Sequence, residues 1–276
     1  MALSDPETSR LQLKEAADLL VSEFLCKSDK DNLTVAFGTG LVASLCIDAV
    51  AERLKDSEDP LAKKAFFAVP TTPFSAARLA TLGIQMHQDG ISAGTEHVDI
   101  CIVEVDELSR TETGDLAAIK ARPSDMVKGH DGLYEETSLA HNTNTQIIVL
   151  AHESQLVPQL GGVLPVEIEA KAWLESAEEI DDMFLGDATL WRRPRTGTAN
   201  PLGGSDPYIT AQGNHLVDIK FEGPIRDDLA QVDSWISGVE GVVAHGLLVK
   251  CIDAAVVACE GGAEILPGRA PSDVSE

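Results

Sequence analysis

The sequence predicts a doubly wound α/β fold: a mostly parallel sheet with helices on both faces, plus a small second domain of α+β type. Three observations predict it. Apolar runs at 34–37, 65–69, 97–105 and 147–151 have the length of buried strands. Helical patterns lie between the early runs, and this alternation calls for parallel strands joined by crossover helices. Beyond Leu164 the alternation gives way to strands, helices and a hairpin signal, an α+β pattern.

Each element has a local reason. Asp5-Pro6-Glu7 supplies a cap and a first-turn proline for a helix over 5–25, where Leu13, Ala17, Leu20, Val21 and Phe24 recur at helical spacing. Thr34–Phe37 is a short strand running into the turn Gly38-Thr-Gly40. Leu41–Lys55 is helical, with Val42, Cys46, Ala49 and Val50 on one side. Ala65–Val69 is a second strand, and Ser75–Leu82 a helix stopped by Gly83. Ile84–His87 reads as a short strand, and His97–Val105 and Ile147–Ala151 as strongly apolar ones. Val166–Ala170 is a strand, Trp173–Phe184 and Asp227–Ser237 are helices, and Ala211-Gln-Gly-Asn214 is a hairpin turn between Tyr208–Thr210 and His215–Phe221. Val242–Lys250 and Ala254–Ala258 return to strand composition. The large domain is therefore expected over 1–163 plus 242–262, the small one over 164–241, and a loose tail over 263–276.

Composition narrows the function. Of 276 residues 44% are hydrophobic, enough for a sizeable core. The 45 acidic residues outnumber 21 basic ones, for a net charge of −24. Such a surface repels phosphate backbones, which argues against a nucleic-acid partner. Five scattered cysteines without a C-x-x-C pair fit a reducing compartment. No apolar run is long enough for a membrane span. The first eight residues read as neither a signal nor a transit peptide.

The chemistry-bearing residues fall at strand ends. Gly38-Thr-Gly40-Leu-Val-Ala43 partly matches a dinucleotide fingerprint, but the second strand ends in Val69-Pro-Thr-Thr72 with no acid for a ribose. Two turns with free amides and threonine hydroxyls suit a small phosphate or carbonyl compound better, which makes Gly38, Thr39, Gly40, Thr71 and Thr72 binding candidates. Glu104, Asp106 and Glu107 close the third strand, where ligands of open α/β sheets gather, and grouped carboxylates raise one another's pKa toward that of a base. Lys128 in Val127-Lys-Gly-His-Asp-Gly132 is a cation in a glycine-containing loop, suited to a developing oxyanion. His130 and Asp131 lack partners at metal-ligand spacing, so no metal site is expected.

The order of these motifs resembles the ribose-5-phosphate isomerase A family over about residues 10–260. Leu164-Pro-Val-Glu-Ile168 and Gly241-Val-Val-Ala-His-Gly-Leu247 are similar to the segments that flank the family's small domain. Trp173–Asp182, Gly186-Asp-Ala-Thr-Leu-Trp-Arg-Arg-Pro194 and Pro201-Leu-Gly-Gly204 resemble a plant and algal branch whose members carry a chloroplast label. The resemblance implies a Rossmann-like α/β domain with a small ferredoxin-like domain, and interconversion of ribose 5-phosphate and ribulose 5-phosphate. It also implies no metal or organic cofactor, a homo-oligomer or place in a larger assembly, and a chloroplast stromal or, alternatively, cytoplasmic location.

Position by position, the resemblance implies a site with substitutions. The family's G-T-G-S/T-T turn keeps Gly38, Thr39 and Gly40, but Leu41 and Val42 replace its hydroxyl residues. Its D-G-A-D-E motif falls on Val103–Glu107, keeping Asp106 and Glu107 while Val103 replaces the first acid and Glu104 stands beside it. Its lysine-glycine loop falls on Lys128, Gly129 and Gly132. Its base glutamate, nine residues after the lysine, falls on Thr137 with Glu136 adjacent, and its phosphate-side lysine falls on Gln155. Two readings follow: an isomerase of weak or absent activity using Asp106, Lys128, Glu136 and Glu104, or a non-catalytic structural or sugar-phosphate-binding subunit.

Overall fold

The computed structural model describes residues 6–87, 98–120, 132–195 and 206–269. Pro6 opens α1 (Pro6–Leu20), which buries Ala16, Ala17 and Leu20 and continues as a π-helical turn over Val21–Cys26. Then follow β1 (Asn32–Phe37), α2 (Gly40–Leu54), β2 (Ala65–Pro70) and α3 (Pro73–Leu82). Thr72 caps α3 in a box with Ser75, and Gly83 ends the helix at φ 69°. The chain continues through β3 (Ile100–Arg110), β4 (Leu116–Lys120), α4 (Leu133–Ala140) and β5 (Gln146–His152).

These strands build one sheet of eight with β10 (Leu247–Val249), β11 (Ile252–Cys259) and β12 (Gly262–Pro267). Its parallel part runs β2-β1-β3-β5-β11. From β1 the chain moves outward to β2 and then returns to the other side of β1 for β3. That reversal is a switch point, where the strand ends splay and leave a crevice. β3 changes partners halfway. Ile100–Glu104 pairs in parallel with β5, whereas Val105–Arg110 pairs antiparallel with β4 across a bulge between Val105 and Glu107. β4 in turn pairs with β10.

Both faces of the sheet are covered. Leu20, Phe37, Ile47, Val50, Ile102 and Leu150 form the core under α1 and α2, and Val103, Val105, Leu139, Val149 and Val257 the core under α4. Burying each such side chain contributes about 1.5–3 kcal/mol. Period-two alternation along β3 puts Val103 in the α4-side core and turns Glu104 to the α2 side.

A second sheet of four antiparallel strands follows the order β7-β8-β6-β9. It comprises β6 (Val163–Ile168), β7 (Ala188–Arg192), β8 (His215–Phe221) and β9 (Val242–His245). The helices α5 (Trp173–Met183) and α6 (Leu229–Gly238) seal it with Ile180, Val232 and Ile236, joined by Phe184 at the end of α5.

Several elements depart from expectation. β3 does not stop at Val105 but runs to Arg110. The hairpin strand β4 carries no helical or alternating signature, and β7 buries only Ala188 fully, so neither is marked in the sequence. Val242–His245 pairs with β6 of the small sheet, and the chain rejoins the large sheet only at Leu247. Residues 262–267 are no loose tail: the turn at Gly261 and Gly262 (φ 97° and 141°) folds them back as edge strand β12 against β11. Ile84–His87 contributes a single bridge, Met86 to Ala68. Among the described residues no helix is long and apolar enough to cross a membrane.

Candidate functional site

The crevice at the switch point is walled by the turn after β1, the turn after β2, the end of the parallel part of β3, the end of β4 and the head of α4. Each wall places one group. Lys120, the last residue of β4, is anchored by its amide to the Gly246 carbonyl at 2.7 Å. Glu136 lies in the first turn of α4, which Gly132 opens at φ 65°. The two side chains meet at 3.1 Å between Lys120 Nζ and Glu136 Oε2, only 3% and 2% exposed. The Thr71 hydroxyl lies between Glu136 Oε1 (3.3 Å) and the Phe37 carbonyl (3.2 Å).

Two glycines admit the Glu136 carboxylate. A Cβ at Gly38 would stand 2.7 Å from Glu136 Oε1, and one at Gly132 2.8 Å from the same atom. The turn after β1 is therefore glycine-bearing because a carboxylate rests on it. Burial raises the Glu136 pKa, while Lys120 and Thr71 pull it back down. A carboxylate lifted above its ordinary range, beside a fixed ammonium, has the two functions that proton transfer next to a carbonyl requires.

Glu104 occupies a second seat. Its Oε2 accepts the Val42 amide at 3.4 Å, in the first turn of α2, and a Cβ at Gly40 would overlap it. Burial pushes its pKa up to about 7; the Val42 amide and Lys120 oppose that rise, while Glu136 and Asp106 add to it.

The sequence-derived candidates divide. Glu104, Glu136, Gly38, Gly40, Gly132 and Thr71 converge on the crevice, and Asp106 lies close enough to act on Glu104. Thr72 is committed to capping α3. Thr39 is the N-cap residue of α2 but makes no side-chain cap bond. Glu107 turns away from the crevice and accepts the Gly161 and Gly162 amides at 2.9 and 3.2 Å, which closes a loop. Lys128 and Gly129, with His130 and Asp131, lie outside the described residues.

Among the described residues the lysine that faces the carboxylate is Lys120, which the motif reading missed. A signal was present: Leu116-Ala-Ala-Ile119 is an entirely apolar run directly after the turn at Gly114 (φ 92°), and a lysine ends it. Of the two adjacent positions 136 and 137, the candidate Glu136 is the one that faces the crevice. Thr137 bonds its own helix at the Leu133 carbonyl (2.7 Å), and Glu136 points to Lys120 instead. Gln155, where a phosphate-side lysine was sought, accepts the His152 amide at 2.7 Å and donates to the Val105 carbonyl.

Comparison with known proteins agrees with this architecture. The sequence model of the family described as Ribose 5-phosphate isomerase A (phosphoriboisomerase A) matches residues 67–262. Ribose-5-phosphate isomerase A of Gloeobacter violaceus is 29% identical over 245 residues, 88% of this chain and 92% of that protein. Probable ribose-5-phosphate isomerase 3, chloroplastic, of Arabidopsis thaliana is 23% identical over 273 residues, 96% of this chain and 85% of that protein. The solved ribose 5-phosphate isomerase from Plasmodium falciparum superposes with a TM-score of 0.75 at 24% identity, over 95% of this chain and all of that one. A D-ribose-5-phosphate isomerase solved in complex with phospho-erythronic acid has a TM-score of 0.73 at 23% identity, over 93% of this chain and 98% of that one. The chain belongs to the ribose 5-phosphate isomerase A family and has its α/β fold.

Proposed function

We propose that the protein is an aldose–ketose isomerase that interconverts ribose 5-phosphate and ribulose 5-phosphate, with Glu136 as the base and Lys120 as the cation beside the reacting oxygens. The observation that carries this reading is the buried ion pair of 3.1 Å between them, set in the crevice at the switch point. The substrate is taken from the relatives' shared name.

In the forward direction Glu136 removes the proton from C2 of the open-chain aldose. The electron pair moves to the C1 carbonyl and forms an enediolate. The Lys120 ammonium stabilises that oxygen charge, a proton passes from the C2 hydroxyl to O1, and Glu136, whose carboxyl proton exchanges with solvent during the lifetime of the enediolate, protonates C1. The raised pKa of Glu136 brings it nearer to that of an effective base at neutral pH. Asp106, whose charge acts on Glu104, is in this reading the group that handles the hydroxyl protons. A coupled assay for ribulose 5-phosphate tests the proposal. Turnover that Lys120→Ala abolishes supports it, and wild-type turnover no greater than that of Lys120→Ala overturns it.

A second reading rests on Gln155, which is committed to backbone bonds where the resemblance seeks a phosphate-binding lysine. Under it the protein binds a sugar phosphate, or supports a larger assembly, without turning substrate over. A folded wild type that co-purifies with partner subunits and shows no turnover would decide for it. The Arabidopsis relative's label supports a chloroplast location, which organelle fractionation would check against a cytoplasmic one.

A further inference from the structure

Among the described residues, Glu104 is the one acid of the crevice that the proposed chemistry leaves without a task. Its seat is informative. The first turn of a helix presents unpaired amides and the positive end of the helix dipole, and it favours an anion there. In this chain α2 begins at the turn after β1, Thr39 makes no capping bond to it, and Glu104 reaches across from β3 to accept the Val42 amide. Gly40 leaves room for that carboxylate and for no side chain of its own. The crevice thus holds an anion of its own at the place best suited to receive one.

We propose that Glu104 sets the charge preference of the crevice: it occupies the anion seat at the head of α2, and a phosphorylated sugar or other dianion binds there only when Glu104 is protonated. This deepens the isomerase reading, on which the identity of the phosphorylated sugar rests. The charged and titratable groups around Glu104 make the same argument from each wall. Lys120 of β4 is a cation but is already joined to Glu136. Glu136 of α4 and Asp106 of β3 repel further negative charge, and the buried Cys46 thiol of α2 is itself held neutral, its pKa pushed up by burial and by Glu104. A dianion added beside an ionised Glu104 would meet like charge at a half-buried carboxylate, where repulsion costs more than at the open surface. Protonation removes that repulsion and leaves a neutral carboxyl that can donate to the incoming anion.

Sulfate is the suitable probe, because it stays a dianion across the pH range and needs no turnover. Its affinity for the whole chain is measured by titration calorimetry at pH 6 and pH 8, for the wild type and for Glu104→Gln. With half-protonation of Glu104 near pH 7, the wild-type Kd should rise about tenfold from pH 6 to pH 8, in proportion to the falling protonated fraction. Glu104→Gln should bind at pH 8 as tightly as the wild type does at pH 6, with no dependence on pH. A wild-type affinity that is flat between the two pH values overturns the proposal without recourse to any variant. So does Glu104→Gln binding that follows the wild-type pH dependence, or no sulfate binding by either protein at pH 6. Sulfate binding as described, with no isomerase turnover, would leave this inference standing while the isomerase reading fell.

Discussion

Two carboxylates sit on the glycines of one turn and are held by opposite means. Glu136 meets an ammonium at 3.1 Å and a hydroxyl at 3.3 Å, while Glu104 is held by a backbone amide at 3.4 Å at the head of a helix. Both are raised by burial, but Lys120 lies against Glu136 and acts on Glu104 only from farther off. The difference teaches what each group can do. A carboxylate raised by burial and held against a fixed cation is placed to exchange a proton in a reaction. A carboxylate seated on a single backbone amide, its pKa pushed up to about 7, changes charge near neutrality, which is what the proposed charge preference requires.

The largest effect that would sharpen this contrast is on turnover. Glu136→Gln keeps the shape and removes the base, so kcat should fall about 10²–10⁴-fold in the coupled assay. Turnover within a few-fold of the wild type would break the assignment of base to this seat. Next comes stability. Lys120→Ala strands Glu136 in the interior, and breaking such a buried pair should cost about 3–5 kcal/mol in urea unfolding. The third test concerns the other seat. Glu104 titrates at about 7 in the folded chain against an ordinary value of 4.5, so the native state holds its proton longer than the unfolded one. Its stabilising contribution is full below pH 4.5 and is lost as pH rises toward 7, by about 3 kcal/mol in all for a shift of this size. Glu104→Gln should remove that part of the pH slope in unfolding experiments and leave the part due to Glu136. A smaller effect is expected from Gly38→Ala, whose Cβ would stand 2.7 Å from Glu136 Oε1. The carboxylate must shift, and overpacking of this kind costs about 1–3 kcal/mol along with a loss of activity.

The frame of the fold was legible because its signals are local. Thr72 with Ser75 caps a helix, Gly83 ends one, and the runs at β1, β2, β3 and β5 are apolar enough to be buried strands on any reading. The crevice was legible to the same extent, since strand ends and glycine turns locate it before any contact is known. Its cation was not. Lys120 owes its place to β4, a five-residue strand that pairs with the far half of β3 after a bulge, and such pairing leaves little trace in periodicity. Motif order points to Lys128, which lies outside the described residues, whereas the ion pair of Lys120 depends on where a strand ends. Glu136 over Thr137 was decided by the phase of α4: one residue is 100° of helix, enough to exchange a group facing the crevice for one that bonds its own turn. The edge strand β12 was hidden by its glycines, its proline and its weak burial, all of which resemble a loose terminus.

The central claim is that Glu136 moves the proton between C2 and C1 while Lys120 faces it. It is tested most directly by incubating ribose 5-phosphate in deuterium oxide with the wild type and with Glu136→Gln, and following deuterium at C1 and C2 by nuclear magnetic resonance. The account predicts deuterium incorporation by the wild type and almost none by Glu136→Gln. Equal incorporation by the two proteins would contradict it.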